Sequence, residues 1–111
     1  MGLKKSDIKR LAQKALEATG NPYIQKAYVS YVGDEIRYHY ARQIMTEDEI
    51  DQAYLKTAEQ DIQAGFNDRM VGYYDKWYRY NHADEGYAYD LGVKEATKMP
   101  KCVDEMTIIP A

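Results

Sequence analysis

A run of carboxylates forms the densest group of residues that could do acid–base chemistry. It comprises Glu47, Asp48, Glu49 and Asp51, within the stretch TEDEID. Because the run follows Thr46, its spacing is typical of a solvated helix start, where acidic side chains complement the positive end of the helix dipole, and not of an acid–base pair. We predict that these residues bind a partner, and dipole complementation alone is the alternative.

Metal coordination and nucleophilic catalysis are not indicated. The chain has two histidines and one cysteine, and a turn rich in helix-capping residues explains the cluster NHADE around His82. Cys102 has no histidine near it in the sequence, although a nucleophile needs a base within hydrogen-bond reach. No glycine-rich loop follows a predicted strand and opens a helix. We therefore predict a protein that is not an enzyme and has no catalytic residue, metal or cofactor.

Tyrosine is the unusual residue, with 12 copies against one phenylalanine and one tryptophan. Eight aromatic residues follow position 65. One helix face cannot bury that many, so we expect some of them at the surface. Tyrosine, tryptophan and arginine are enriched at protein–protein hot spots. The predicted partner-binding residues of this region are Arg69, Tyr74, Trp77, Tyr78 and Arg79. The alternative is that most of the rings fill a small core.

Charge is unevenly distributed along the chain. Residues 1–20 hold five basic residues against two acidic ones, whereas residues 46–68 hold seven acidic residues against one basic residue. The net charge is −3 and the pI is about 5.3, while a general affinity for nucleic acid is expected at a pI above about 9. The composition therefore disfavours general binding of nucleic acid.

With 111 residues, the chain has the usual length of one domain and can bury a core without metals or disulfides. Its single cysteine cannot form an internal disulfide, and its N-terminus lacks the apolar run of a secretory signal. No stretch approaches the ~20 apolar residues that span a bilayer. We predict one soluble, cytoplasmic domain over residues 1–111, with flexible tails at 1–5 and 100–111 and no membrane contact.

A first helix is predicted from an N-cap at Ser6 to Thr19, where Gly20 ends it. Its apolar residues recur at the spacing of one buried face, which comprises Ile8, Leu11, Ala12, Ala15 and Leu16. The opposite face is basic, so this helix should lie at the surface of the molecule.

A second helix begins at Thr46, which forms a predicted capping box with Glu49. Its buried stripe comprises Ile50, Ala53, Tyr54, Ala58, Ile62 and Phe66. A bend or break is predicted between Gly65 and Gly72, since glycine costs about 1 kcal/mol in a helix interior.

Residues 28–40, YVSYVGDEIRYHY, fit either a helix or a hairpin. A helix would place Glu35 and His39 on its apolar stripe and Gly33 in its interior. A hairpin that turns on Gly33 and Asp34 instead separates an apolar face from a mostly polar one. We predict the hairpin, over residues 27–40, with its apolar face covered by helices or extended by a strand.

The rest of the chain completes a predicted α+β fold. We expect a helical piece over residues 69–80, a helix from about Asp84 to Lys98 and a short strand at 107–109 beside the hairpin. The stretches AGFNDRMVG and EGYAYDLG share a glycine–aromatic pattern that would let two helices approach closely, and coincidence is the alternative. The predicted order is an N-terminal helix, the hairpin, and two to three helices packed on it.

A stand-alone, acidic, tyrosine-rich domain of this length resembles, in size and composition, the small inhibitors carried by phages and mobile elements, anti-CRISPR proteins among them. The resemblance implies a regulator or inhibitor of a nucleic-acid-handling protein such as a nuclease. The acidic helix from Glu47 to Asp61 would occupy the basic groove of that partner.

Two other functions stay open at the level of sequence. One is a single-stranded nucleic-acid binder that stacks bases on tyrosines and neutralises phosphates with Lys4, Lys5, Lys9 and Arg10. The other is a homodimeric accessory protein whose tyrosine surface is a self-interface.

Overall fold

The computed structural model describes residues 2–20, 46–76 and 86–110. The helices in these residues are α1 (Lys5–Thr19), α2 (Glu47–Met70) and α3 (Tyr87–Thr97), and the strands are β1 (Tyr73–Asp75) and β2 (Thr107–Ile109). The predicted α+β class is confirmed, with helix predominating. The predicted hairpin, residues 27–40, lies outside the described residues. In the described part of the chain, no helix has the length and apolarity needed to cross a membrane.

Helix α1 matches its prediction except at its start. Gly20 ends it, and the Gly20 N–H donates to the Leu16 carbonyl at 2.9 Å. The helix begins at Lys5, and Lys4 holds the N-cap position without a side-chain hydrogen bond, so the predicted cap at Ser6 is wrong. Asp7 in the first turn complements the helix dipole, which lets the helix begin without a side-chain cap.

Helix α2 is the central element and begins with the predicted capping box. The Thr46 N–H donates to Glu49 Oε1 at 3.0 Å, and the Glu49 N–H donates to Thr46 Oγ1 at 3.1 Å. Its 24 residues make a rod about 36 Å long. The predicted stripe is buried except for Ala53, which is exposed. The helix continues through Gly65 and ends at Met70, so the break predicted between Gly65 and Gly72 occurs at Val71 and Gly72 and not at Gly65.

The helix continues through Gly65, and α3 packs directly against the backbone there. A Cβ built on Gly65 would lie 2.9 Å from the Tyr89 carbonyl carbon, and one on Gly92 would lie 2.8 Å from the Phe66 backbone nitrogen. The two helices therefore meet through their backbones and run antiparallel. Of the four glycines in the glycine–aromatic pattern, Gly65 and Gly92 make the expected close approach, whereas Gly72 and Gly86 have positive φ at the ends of elements.

Helix α1 packs on another side of α2, also antiparallel. Thr19 Oγ1, at the end of α1, lies 3.3 Å from the Tyr54 hydroxyl, while Lys5 and Lys9 lie beside the part of α2 around Gln63. The buried cluster that joins the helices comprises Leu11, Ala12, Ala15, Tyr54, Ala58, Ile62, Ala88 and Leu91. Four of its eight members are alanines, and they come from all three described helices.

The two strands pair in parallel, with Tyr73 opposite Thr107 and Asp75 opposite Ile109. The predicted strand at 107–109 is confirmed, and its partner in the structure is β1. The helix predicted over 69–80 is wrong at residues 73–75, because Gly72 turns the chain with a φ of 87°, which side-chain-bearing residues rarely adopt. The Gly72 carbonyl then accepts from the Thr107 N–H at 2.6 Å.

Candidate binding surfaces

The predicted acidic site lies at the start of α2 and is partly exposed. Glu47, Asp48 and Glu49 are exposed, and Asp51 is half-buried. The Glu49 carboxylate accepts from the Thr46 N–H, so part of this charge caps the helix. Glu47 and Asp51 each have a further interaction within the chain. The first turn therefore presents negative charge while it also stabilises its own helix.

The sequence predicted an acidic row along α2 from Glu47 to Asp61. The structure does not place Asp61 in that row. Asp61 is only 1% exposed and lies in the core. A buried carboxylate must be paired or hydrogen-bonded, and Asp61 does have an interaction within the chain. The acidic row therefore excludes Asp61, while Glu59 is half-buried like Asp51.

Tyr74 is half-buried and joins a network instead of standing free at the surface. Its hydroxyl donates to Asp90 Oδ1 at 2.5 Å. Its ring meets the ring of Tyr89 edge to face, with centroids 5.7 Å apart. These contacts tie β1 to α3, so the first role of Tyr74 is to hold the strand in place.

Tyr89 is the buried centre of the same network, with 1% of its surface exposed. Its hydroxyl donates to Asp68 Oδ2 at 2.7 Å and accepts from the Asp75 N–H at 2.9 Å. Burial raises the pKa of the Tyr89 hydroxyl above its ordinary value, and the neighbouring Asp68 carboxylate adds to the shift. The neutral phenol thus links α2, β1 and α3.

Arg69 is engaged inside the protein as well. Its side chain is half-buried, and Nη1 donates to the Val103 carbonyl at 2.6 Å. This contact fixes the segment that leads into β2. The other residues of the predicted aromatic site, Trp77, Tyr78 and Arg79, lie outside the described residues.

An exposed apolar surface lies where α2 ends and the strands begin, and we call it the apolar end. Its members are exposed by 39–64% of their surface and comprise Val71, Tyr73, Val103, Met106, Ile108 and Ile109. β2 pairs with β1 on one edge only, as far as the described residues go. The sequence predicted this strand but not its exposure, for which the signal was the presence of Met106, Ile108 and Ile109 in the short stretch between Asp104 and Pro110.

A second feature missed from the sequence is a groove between α1 and α2, whose lining combines polar side chains with Ile8 and Ala64. It has a volume of about 660 Å³ and is lined mainly by Lys5, Lys9, Glu59, Gln60, Gln63 and Asn67. A smaller hollow of about 300 Å³ continues it, sharing Lys9 and Glu59 and adding Gln13, Gln52 and Lys56. We call the two together the amide–lysine groove. Its signal in the sequence is a polar stripe on α2 at helical spacing.

The described residues contain no group of three or more His, Cys, Asp or Glu side chains placed to hold a metal ion. Comparison of the chain with protein-family models, with curated proteins and with solved structures finds no match.

Proposed function

We propose that this chain is a small, non-enzymatic binding protein that regulates or inhibits a protein which handles nucleic acid. The observation that carries the proposal is the apolar end, where Val71 is 64% exposed and Ile108 is 50% exposed. Exposed apolar side chains grouped on neighbouring elements in this way mark an interaction site. The proposed compartment is the cytoplasm, where a free thiol such as that of Cys102 stays reduced.

The apolar end suits an extended segment of a protein partner. β2 has an unpaired outer edge among the described residues, and an edge strand can hydrogen-bond to an incoming strand while neighbouring side chains provide specificity. Thr107, Ile108 and Ile109 are all exposed. The proposed contact is therefore strand addition, supported by the aliphatic side chains that surround β2.

The acidic first turn supplies the second part of the proposal. Asp48 and Met70 lie near opposite ends of α2, about 33 Å apart along the helix axis. One compact contact would not cover both. We assign steering to the acidic turn, which attracts the basic surface of a nucleic-acid-handling partner, and retention to the apolar end.

The proposal is tested by biolayer interferometry against purified nucleases, including RNA-guided ones. Ile108→Asp should raise the dissociation rate at least about tenfold, since most affinity changes of interface variants appear in dissociation. Ala53→Asp, at an exposed position near the other end of α2, is the matched control and should dissociate like the wild type.

Asp48→Lys tests the steering role in the same assay. We expect slower association with little change in dissociation, and Glu17→Lys, an equal change of charge on α1, should leave association nearly unchanged. The proposal fails if no nuclease binds, or if the Ile108→Asp and Ala53→Asp proteins bind alike.

A further inference from the structure

We propose that the amide–lysine groove binds single-stranded nucleic acid, with phosphates on Lys5, Lys9 and Lys56 and base edges on Glu59 and the amide side chains. The site shares no residue with the apolar end or with the acidic turn. Either proposal can therefore fail without the other.

The dimensions of the groove suit a chain ligand. Its two hollows share Lys9 and Glu59, so they form one surface that runs along both helices. On α2 the lining extends from Gln52 to Asn67, which corresponds to about 22 Å of helix. This length accommodates several linked units better than one small anion.

The charge of the groove calls for an anionic ligand. The lining contains three ammonium groups and one carboxylate, in a chain whose net charge is −3. The salt bridges found within the described residues join Asp7 to Arg10 and Glu95 to Lys98. They leave the lysines of the groove available to phosphates.

The amide side chains of the lining, which lie beside Ile8, Leu55 and Ala64, distinguish a nucleotide chain from an acidic peptide. Amide groups of Gln and Asn, such as Gln60 and Asn67, pair with the edge of adenine, and a carboxylate such as Glu59 accepts from the amino group of cytosine. Unpaired bases expose these edges. An acidic peptide would instead bring its carboxylates against Glu59. The lining includes no aromatic residue, so recognition here uses base edges and phosphates and not stacking.

The test is fluorescence anisotropy with labelled single-stranded DNA and RNA of about 12 nucleotides, a length within known site sizes. If three phosphates are neutralised, the affinity should fall about 20-fold between about 50 and 200 mM salt. Lys5→Glu/Lys9→Glu should weaken binding at least about tenfold and flatten the salt dependence.

The matched control is Lys94→Glu/Lys101→Glu, which makes the same change of charge at exposed positions outside the groove. It should bind within about twofold of the wild type. Lys56→Glu provides an independent variant on the other wall, and circular dichroism checks folding. Glu59→Gln should retain binding and lose preference for cytosine-rich strands.

Four results would overturn the proposal. They are no binding at about 50 mM salt, equal weakening by the control variant, equally tight binding of a poly-glutamate peptide, and equally tight binding of a mononucleotide. The peptide result would reduce the groove to a nonspecific anion surface. The mononucleotide result would reassign it to a free nucleotide.

Discussion

The two sides of α2 are built differently. Towards α3, glycines on both helices bring the backbones into contact, and a Cβ on either Gly65 or Gly92 would overlap the neighbouring backbone. Towards α1, small residues such as Ala12 and Ala58 make the buried contact, while long polar side chains flank an open groove. The α3 side therefore serves mainly stability, whereas the α1 side leaves an open groove.

The largest expected effect is on the α3 side, for Gly92→Leu. The new Cβ would overlap the Ile62 carbonyl oxygen, and a helix backbone cannot yield as a flexible side chain can. We expect a loss of about 3 kcal/mol or more in the free energy of unfolding, measured with urea. Gly2→Ala, where nothing lies within 4 Å of the added Cβ, is the control. Equal stability of the two proteins would contradict the close contact.

Tyr89→Phe tests the polar network on the same side. The change leaves the Asp75 N–H and the Asp68 carboxylate without their shared partner. The expected loss in the free energy of unfolding is about 1–3 kcal/mol. Tyr87→Phe, at an exposed ring of the same helix, should change it by less than about 0.5 kcal/mol.

The same hydroxyl should make stability depend on alkaline pH. Because burial raises the folded-state pKa of Tyr89, the folded protein keeps a proton that the unfolded chain releases above the ordinary tyrosine pKa of about 10. Stability should therefore fall as pH rises past about 10, by up to about 1.4 kcal/mol per pH unit from this group. Urea unfolding across this range should show a shallower fall for Tyr89→Phe than for the wild type.

A smaller effect is expected where α2 begins, away from the contact with α3. Thr46→Ala removes the acceptor of the Glu49 N–H and should cost about 1 kcal/mol. Ser6→Ala is the comparison, because Ser6 lies inside α1 and does not cap it. Its effect should be only a few tenths of a kcal/mol. A reversed order in chemical denaturation would contradict the assigned helix starts.

The smallest effect on stability is expected on the α1 side, for Lys5→Glu/Lys9→Glu. Both side chains are exposed, so the free energy of unfolding should change by no more than about 0.5 kcal/mol. A large loss in thermal denaturation would show that the groove lysines hold the fold. It would thereby remove the contrast between the two sides of α2.

Local signals in the sequence predicted local structure well. The capping box of Thr46 and Glu49 and the apolar stripe of α1 depend on residues a few positions apart, and both are present in the structure. The helix expected over 69–80 is wrong at 73–75 because pairing with residues 107–109 outweighs local helical spacing. The two strands are far apart in the sequence, so no short stretch of it reveals their pairing.

The candidate site was less predictable for the same reason. The exposed acidic residues follow from the capping signal, but Arg69 donates to Val103 and Tyr74 donates to Asp90, and these partners are distant in sequence. The amide–lysine groove likewise needs two helices side by side. Residue type alone predicted which side chains could bind a partner. Packing decided which of them already have a partner inside the protein.

The glycine contact between α2 and α3 restricts which substitutions this sequence can accept. Any side chain at Gly65 or Gly92 meets a neighbouring backbone, so an exhaustive substitution screen selected only for folding should return glycine there. The residues that line the groove are not restricted in this way and should diversify in that screen. A second screen, selected for ligand capture, should restore its lysines and amides.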